Sequence, residues 1–189
     1  MIEQHPLEPF LPPGARILFL GSFPPPRNRW CMDFYYPNFQ NDMWRIMGLV
    51  FFDDPMHFVK ERCFDREKIC AFCTEQGIAL SDTVRAAIRK SNNASDSQLQ
   101  VVRPLDLQDL LARIPDCETI AVTGQKAADT LFGVLKEGPV PAPGQFTDLK
   151  RGNKPLRIWR MPSTSRAYPM KLERKAEVYR SMFRSLKRV

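Results

Sequence analysis

Short apolar runs alternate with amphipathic stretches along the chain, and their periods predict its elements. Ala15–Gly21 (ARILFLG) is a β-prone apolar run that reads as a buried strand ending at glycine. A proline-rich loop follows from Ser22 to Arg29. Asn41–Phe51 has helical spacing, with Asn41 or Asp42 as the cap. Asp65–Gln76 predicts a second helix, stopped by Gly77. Ile78–Leu80 predicts a short strand running into Ser81-Asp82-Thr83. Asp106–Ile114 is a short helix, Thr119–Val122 a strand running into Thr123-Gly124-Gln125, and Lys126–Leu135 a helix. Lys136–Asn153, rich in glycine and proline, predicts an irregular loop or a hairpin. Leu156–Arg160 is a strand leading into Met161-Pro162-Ser163-Thr164-Ser165. In the last segment Leu172, Ala176, Tyr179, Phe183 and Leu186 form one helical face, and Lys171, Arg174, Lys175, Arg184 and Lys187 occupy the other.

Strands separated by helices predict an α/β fold with a parallel sheet covered on both faces, in one domain spanning residues 1–189. Ligands of such sheets bind beyond the carboxyl ends of the strands. Here those ends are GSFPP, SDT, TGQ and MPSTS, a set of hydroxyls, backbone amides and one carboxylate. Prolines in the first and last of these loops fix the backbone where it must not move.

Composition narrows the partners. The net charge is +7, but the segment from Arg151 to Val189 alone carries +10, so the preceding 150 residues are slightly acidic. A basic C-terminal fifth on a near-neutral body suits a polyanion such as nucleic acid. A hydrophobic content of 43% supports a packed core rather than a disordered basic tail. No apolar run reaches the roughly 20 residues of a membrane helix, so no membrane partner is expected. The N-terminus lacks the pattern of a secretory signal. Five cysteines then read as reduced thiols in a cytoplasmic protein. Cys70 and Cys73 form a C-x-x-C inside a helical pattern, but no second pair stands at zinc spacing, and His5 and His57 lie far from any cluster in sequence. No metal site is expected.

Three segments, taken in order, carry a family resemblance: GSFPP after the first strand, FYYPNFQNDMWRIMG before and into the first helix, and MPSTS after the last strand. Together they resemble the uracil-DNA glycosylase superfamily, nearest to its mismatch-specific uracil/thymine and hypoxanthine-DNA glycosylase branches. The polar stretch SNNASDS after SDT is similar to the hypoxanthine-type branch. The resemblance implies a three-layer α/β/α sandwich around a four-stranded parallel sheet. It also implies a monomeric, cofactor-free, monofunctional DNA glycosylase that flips a deaminated base (uracil or hypoxanthine) from DNA and hydrolyses its N-glycosidic bond. Such chemistry needs a placed water, donors around the departing base, and energy to unstack that base.

Carried over position by position, the resemblance assigns the water or sugar to Asn41, whose plainer reading is a helix cap. Asp82 and Asp96 are second candidates for polarising water, against capping or turn duty. Tyr36 matches the aromatic that stacks on the base, while Phe34 and Trp44 suit the core. Gly21, Ser22 and Phe23 would frame the base through the backbone, and Ser81 would read its edge. Ser163, Thr164 and Ser165 would bind phosphates beside the lesion, and Arg166 would fill the gap left by the flipped base. Two departures stand out. Phe23 replaces the water-holding Asn of the mismatch-specific relatives, and Met161 replaces the His or Asn that opens the last motif. They leave open a DNA-binding module with little or no turnover, or a small-molecule enzyme on the same scaffold.

Overall fold

The computed structural model of the chain describes residues 1–89 and 99–186, so SNNASDS, Asp96 and Lys187 lie outside the described residues. Strand β1 (Ile2–Gln4) and strand β2 (Ile17–Gly21) precede helix α1 (Met43–Phe52). A two-strand ribbon, β3 (Val59–Lys60) with β4 (Cys63–Phe64), leads into α2 (Arg66–Glu75). Then come β5 (Ile78–Asp82), β6 (Val84–Arg89), β7 (Leu99–Pro104) and α3 (Leu107–Arg113). The chain continues through β8 (Thr119–Thr123), α4 (Gln125–Leu135), β9 (Gln145–Arg151), β10 (Lys154–Met161) and α5 (Leu172–Ser185). Asp65 and Asp106 start α2 and α3 as side-chain caps, accepting from the Lys68 and Asp109 N–H groups.

The central sheet runs β5-β2-β8-β10-β9. Its first four strands are parallel, as the alternating pattern predicts. The four-stranded expectation needs one correction: β9 adds a fifth, antiparallel edge strand, paired from Arg151↔Lys154 to Gln145↔Arg160. The turn of that hairpin holds Gly152 at φ 60°, where glycine is unstrained. β9 alternates exposed with half-buried residues and faces solvent along much of its length, and it realises the hairpin alternative of the Lys136–Asn153 reading.

Successive strand residues face opposite ways, and the core divides accordingly. Ile17, Phe19, Ile78, Leu80 and Trp159 pack with residues of α1, α2 and α5. Leu18, Leu20, Ala79, Ile120 and Ile158 pack with residues of α3 and α4. That is the expected three-layer sandwich. A second sheet, β1-β6-β7, is antiparallel and was not expected. Its register shifts between Val84 and Ala87, which breaks the two-residue alternation that would have revealed a strand.

Candidate functional site

The parallel strands end together. Gly21 of β2 lies opposite Asp82 of β5, and Thr123 of β8 lies opposite Met161 of β10. Beyond this edge opens a cavity of about 680 Å³. It is lined by Gly21, Ser22, Phe23, Tyr36, Asn41, Asp82, Thr123 and the run Ser163–Pro169, among others. The fold therefore brings together ten of the candidate residues: Gly21, Ser22, Phe23, Tyr36, Asn41, Asp82, Ser163, Thr164, Ser165 and Arg166. Among the described candidates Ser81 is the exception: it is fully buried and does not line the cavity, whereas its neighbour Asp82 does.

At one end of the cavity the surfaces are aromatic. Tyr36 has a left-handed backbone (φ 53°), and its hydroxyl shares a 3.1 Å hydrogen bond with Thr123 Oγ1. Its ring meets Trp44 edge-on at 6.2 Å, while Trp44 and Phe34 belong to the core as expected. Burial, and then the Asp82 carboxylate, push the Tyr36 phenol well above its usual range, and the same two causes act on Tyr35. Both phenols are therefore neutral hydrogen-bonding groups. Phe23 packs on Val84, Ala87 and Leu99 beneath the first loop.

Gly21 has a specific reason to be glycine. A Cβ there would collide with Asp82 Oδ1 and stand 3.5 Å from the Tyr36 hydroxyl. The carboxylate and the phenol both ride directly over this backbone.

At the other end are polar groups. The cap position of α1 is Asp42, whose side chain makes no capping bond; Asn41, one residue earlier, accepts the Met43 N–H through Oδ1 at 2.9 Å and also faces the cavity. Asn41 bridges to Ser165 through its backbone. The Ser163 and Ser165 hydroxyls accept the N–H groups of Ser165 and Ala167, each at 3.2 Å, which shapes the turn. Asp42 binds this loop by charge. Its carboxylate accepts from Arg166 Nε at 3.3 Å and from Lys175 Nζ at 3.0 Å. Lys175 is fully buried and also donates to the Ser165 carbonyl at 2.7 Å, so it does not belong with the solvent-facing cations of α5. Met161 is fully buried and supplies no polar group to the cavity.

One residue set aside on sequence grounds returns here. His5 is buried, and its Nε2–H donates to Asp82 Oδ2 at 2.8 Å. β1 delivers it by pairing with β6, and nothing in the spacing of residues 5 and 82 signals that contact. Thr123 was also missed as a site residue, though it ends a strand whose terminal loop was flagged. Among the described residues, no group of three His, Cys, Asp or Glu side chains is arranged to hold a metal. Cys73 is buried in the core, and burial raises its thiol far above the usual range. No described helix is long and apolar enough to cross a membrane.

No protein-family model and no curated protein matches the chain. Solved structures do match. The solution NMR structure of a "putative Uracil DNA glycosylase" from Methanosarcina acetivorans aligns over 99% of both chains, with a TM-score of 0.66 and 22% identity. The chain thus has a uracil-DNA-glycosylase-like α/β/α fold, with its cavity at the carboxyl edge of the parallel strands.

Proposed function

We propose that the chain is a monofunctional DNA glycosylase of the uracil-DNA glycosylase superfamily, acting on a deaminated base such as uracil or hypoxanthine. The observation that carries the proposal is convergence. Three segments far apart in sequence, each matched to a motif of that superfamily, line one cavity at the sheet edge where this fold binds ligands. Aromatic surfaces at one end suit a flipped base, since stacking contributes about 1–3 kcal/mol per base. Hydroxyls and Arg166 at the other end suit the phosphates beside it. In this reading the base unstacks from DNA into the Tyr36 and Phe23 end. A water held by Asn41 bonds to C1′ of the sugar, the electron pair of the C1′–N bond leaves with the base, and the proton released by the water ends on that departing base. Asn41 can accept the Met43 N–H and hold water together, because an amide oxygen has two lone pairs and the amide nitrogen donates separately.

The test is a panel of oligonucleotide duplexes containing uracil, mismatched thymine, hypoxanthine or xanthine, followed by alkaline cleavage of abasic sites. Release of at least one base is expected, with Asn41→Ala slowing it at least about tenfold. An unchanged rate would remove Asn41 from its role. A second reading rests on Phe23 and Met161, apolar where relatives place polar side chains. It is a glycosylase-like module that binds DNA without cutting, and it predicts salt-sensitive binding with no abasic product.

A further inference from the structure

Two cysteines that stand 32 positions apart in the chain meet in the fold. Cys31 opens the segment that leads to Tyr36, and Cys63 begins β4. The Cys63 thiol donates to the Cys31 carbonyl at 2.6 Å, and the Cys31 thiol is in turn hydrogen-bonded to the Cys63 side chain. Both residues are half-buried, whereas Cys73 and Cys117 are buried. The Cys31 N–H donates to the Pro37 carbonyl at 2.9 Å, which closes residues 31–37 into a loop. Within it Tyr36 holds a left-handed backbone (φ 53°), which a non-glycine residue keeps only where its surroundings fix it. Tyr36 and Pro37 line the cavity. From the other side, the Phe64 ring of β4 meets Phe39 at 5.2 Å, with the Arg45 guanidinium against both rings. A bond between Cys31 and Cys63 would run along an existing contact and fasten the base of this loop covalently.

Burial, and then the hydrogen bond with Cys63, push the Cys31 thiol up to about 11. A site that stabilises a thiolate makes its disulfide easy to reduce, and Cys31 gains no net stabilisation of that kind. We infer that Cys31 and Cys63 form a reversible disulfide by exchange with a low-molecular-weight disulfide such as oxidised glutathione, making the pair a redox-sensitive fastening of the loop that carries Tyr36. In the first step one cysteine thiolate attacks a sulfur of the reagent, whose S–S bond breaks, and one glutathione leaves as the thiolate. In the second step the other cysteine attacks its partner's sulfur in the mixed disulfide, and the second glutathione leaves. The protein loses two electrons and two protons, and both end on the two glutathione thiols released. The fastening does not depend on what the cavity binds.

The test equilibrates the native full chain in glutathione buffers of graded reduced-to-oxidised ratio, quenches with an alkylating reagent and reads the masses of the whole chain and of its tryptic peptides. The expected product has lost two hydrogens and links peptide 30–45 to peptide 63–66, and dithiothreitol reverses it. Cys31→Ser and Cys63→Ser are each expected to abolish the link, and Cys70→Ser to leave it intact. The linked chain is expected to unfold at a higher urea midpoint than the reduced one, because the cross-link restricts the unfolded chain. The link itself is mapped in the wild-type chain, so a serine variant that folds poorly does not decide the outcome. A link between any other pair of cysteines overturns the inference. So does a glutathione adduct that persists as the end product, a chain that stays reduced in the most oxidising buffer, or a linked chain with a lower urea midpoint.

Discussion

At Gly21 a single added methyl group would collide with a carboxylate that lines the cavity. The strand register puts this residue opposite Asp82, and the Asp82 carboxylate crosses over its Cα. Gly21→Ala must displace Asp82 Oδ1 or the β2 backbone. Overpacking of this kind costs about 1–3 kcal/mol, and the displaced carboxylate would also lose its 2.8 Å bond to His5. The expected outcome is a lower urea midpoint together with at least about a tenfold loss of base release. An alanine variant with unchanged stability and rate would show that the carboxylate is not pinned there. Asn41, Tyr36 and Asp82 were legible in the sequence because each sits inside a contiguous motif or ends a predicted strand. His5 was not, because its partner lies 77 residues away and no local period connects them.

Three elements share one charged knot. Asp42 opens α1, and its N–H donates to the Thr164 carbonyl at 2.8 Å. Lys175 of α5 reaches Asp42 and the Ser165 carbonyl, and the Tyr179 hydroxyl of the same helix donates to the Pro162 carbonyl at 3.1 Å. The loop after β10 is thereby fastened to both helices. Removing one partner of a buried ion pair typically costs about 3–5 kcal/mol. Lys175→Met should therefore destabilise by about that much in urea denaturation, and adding Asp42→Asn should recover part of the loss. If Lys175→Met proves nearly neutral, the knot does not hold the loop. The helical face of α5 was read correctly from its apolar steps, yet Lys175 was assigned to solvent. Periodicity gives a side chain's direction on its own helix, but it cannot show that another element covers that direction. The same blindness hid β1, β6 and β7, whose pairing is non-local, whereas β2, β5 and β8 announced themselves as short apolar runs buried on both faces, and the buried Leu156, Ile158 and Trp159 of β10 sufficed to mark that strand.

For the whole molecule, the count of cations overstates the charge offered to DNA. Within the basic C-terminal fifth, Arg157 is paired with Asp148 and Arg180 with Asp53 and Glu177, while Arg160 is held by hydrogen bonds to Gln125 and the Pro141 carbonyl. Lys175 is internal. Arg166 lines the cavity and stays half exposed although its Nε also reaches Asp42, and Lys171 and Arg174, which follow the cavity loop in sequence, are exposed. Arg29 joins them: it is exposed, lines the cavity, and belongs to the proline-rich first loop instead of the basic tail. Each phosphate neutralised contributes about −0.9 to the slope of log K against log salt. Four such cations predict a slope of about −3 to −4 for an abasic-site duplex, far from the roughly −10 of an extended DNA binder. Arg29→Ala and Arg166→Ala should each flatten it by about one. Fluorescence anisotropy across a salt series measures this directly. A slope near zero would count against DNA as the partner, and a slope unaffected by both substitutions would move the phosphate contacts away from the cavity.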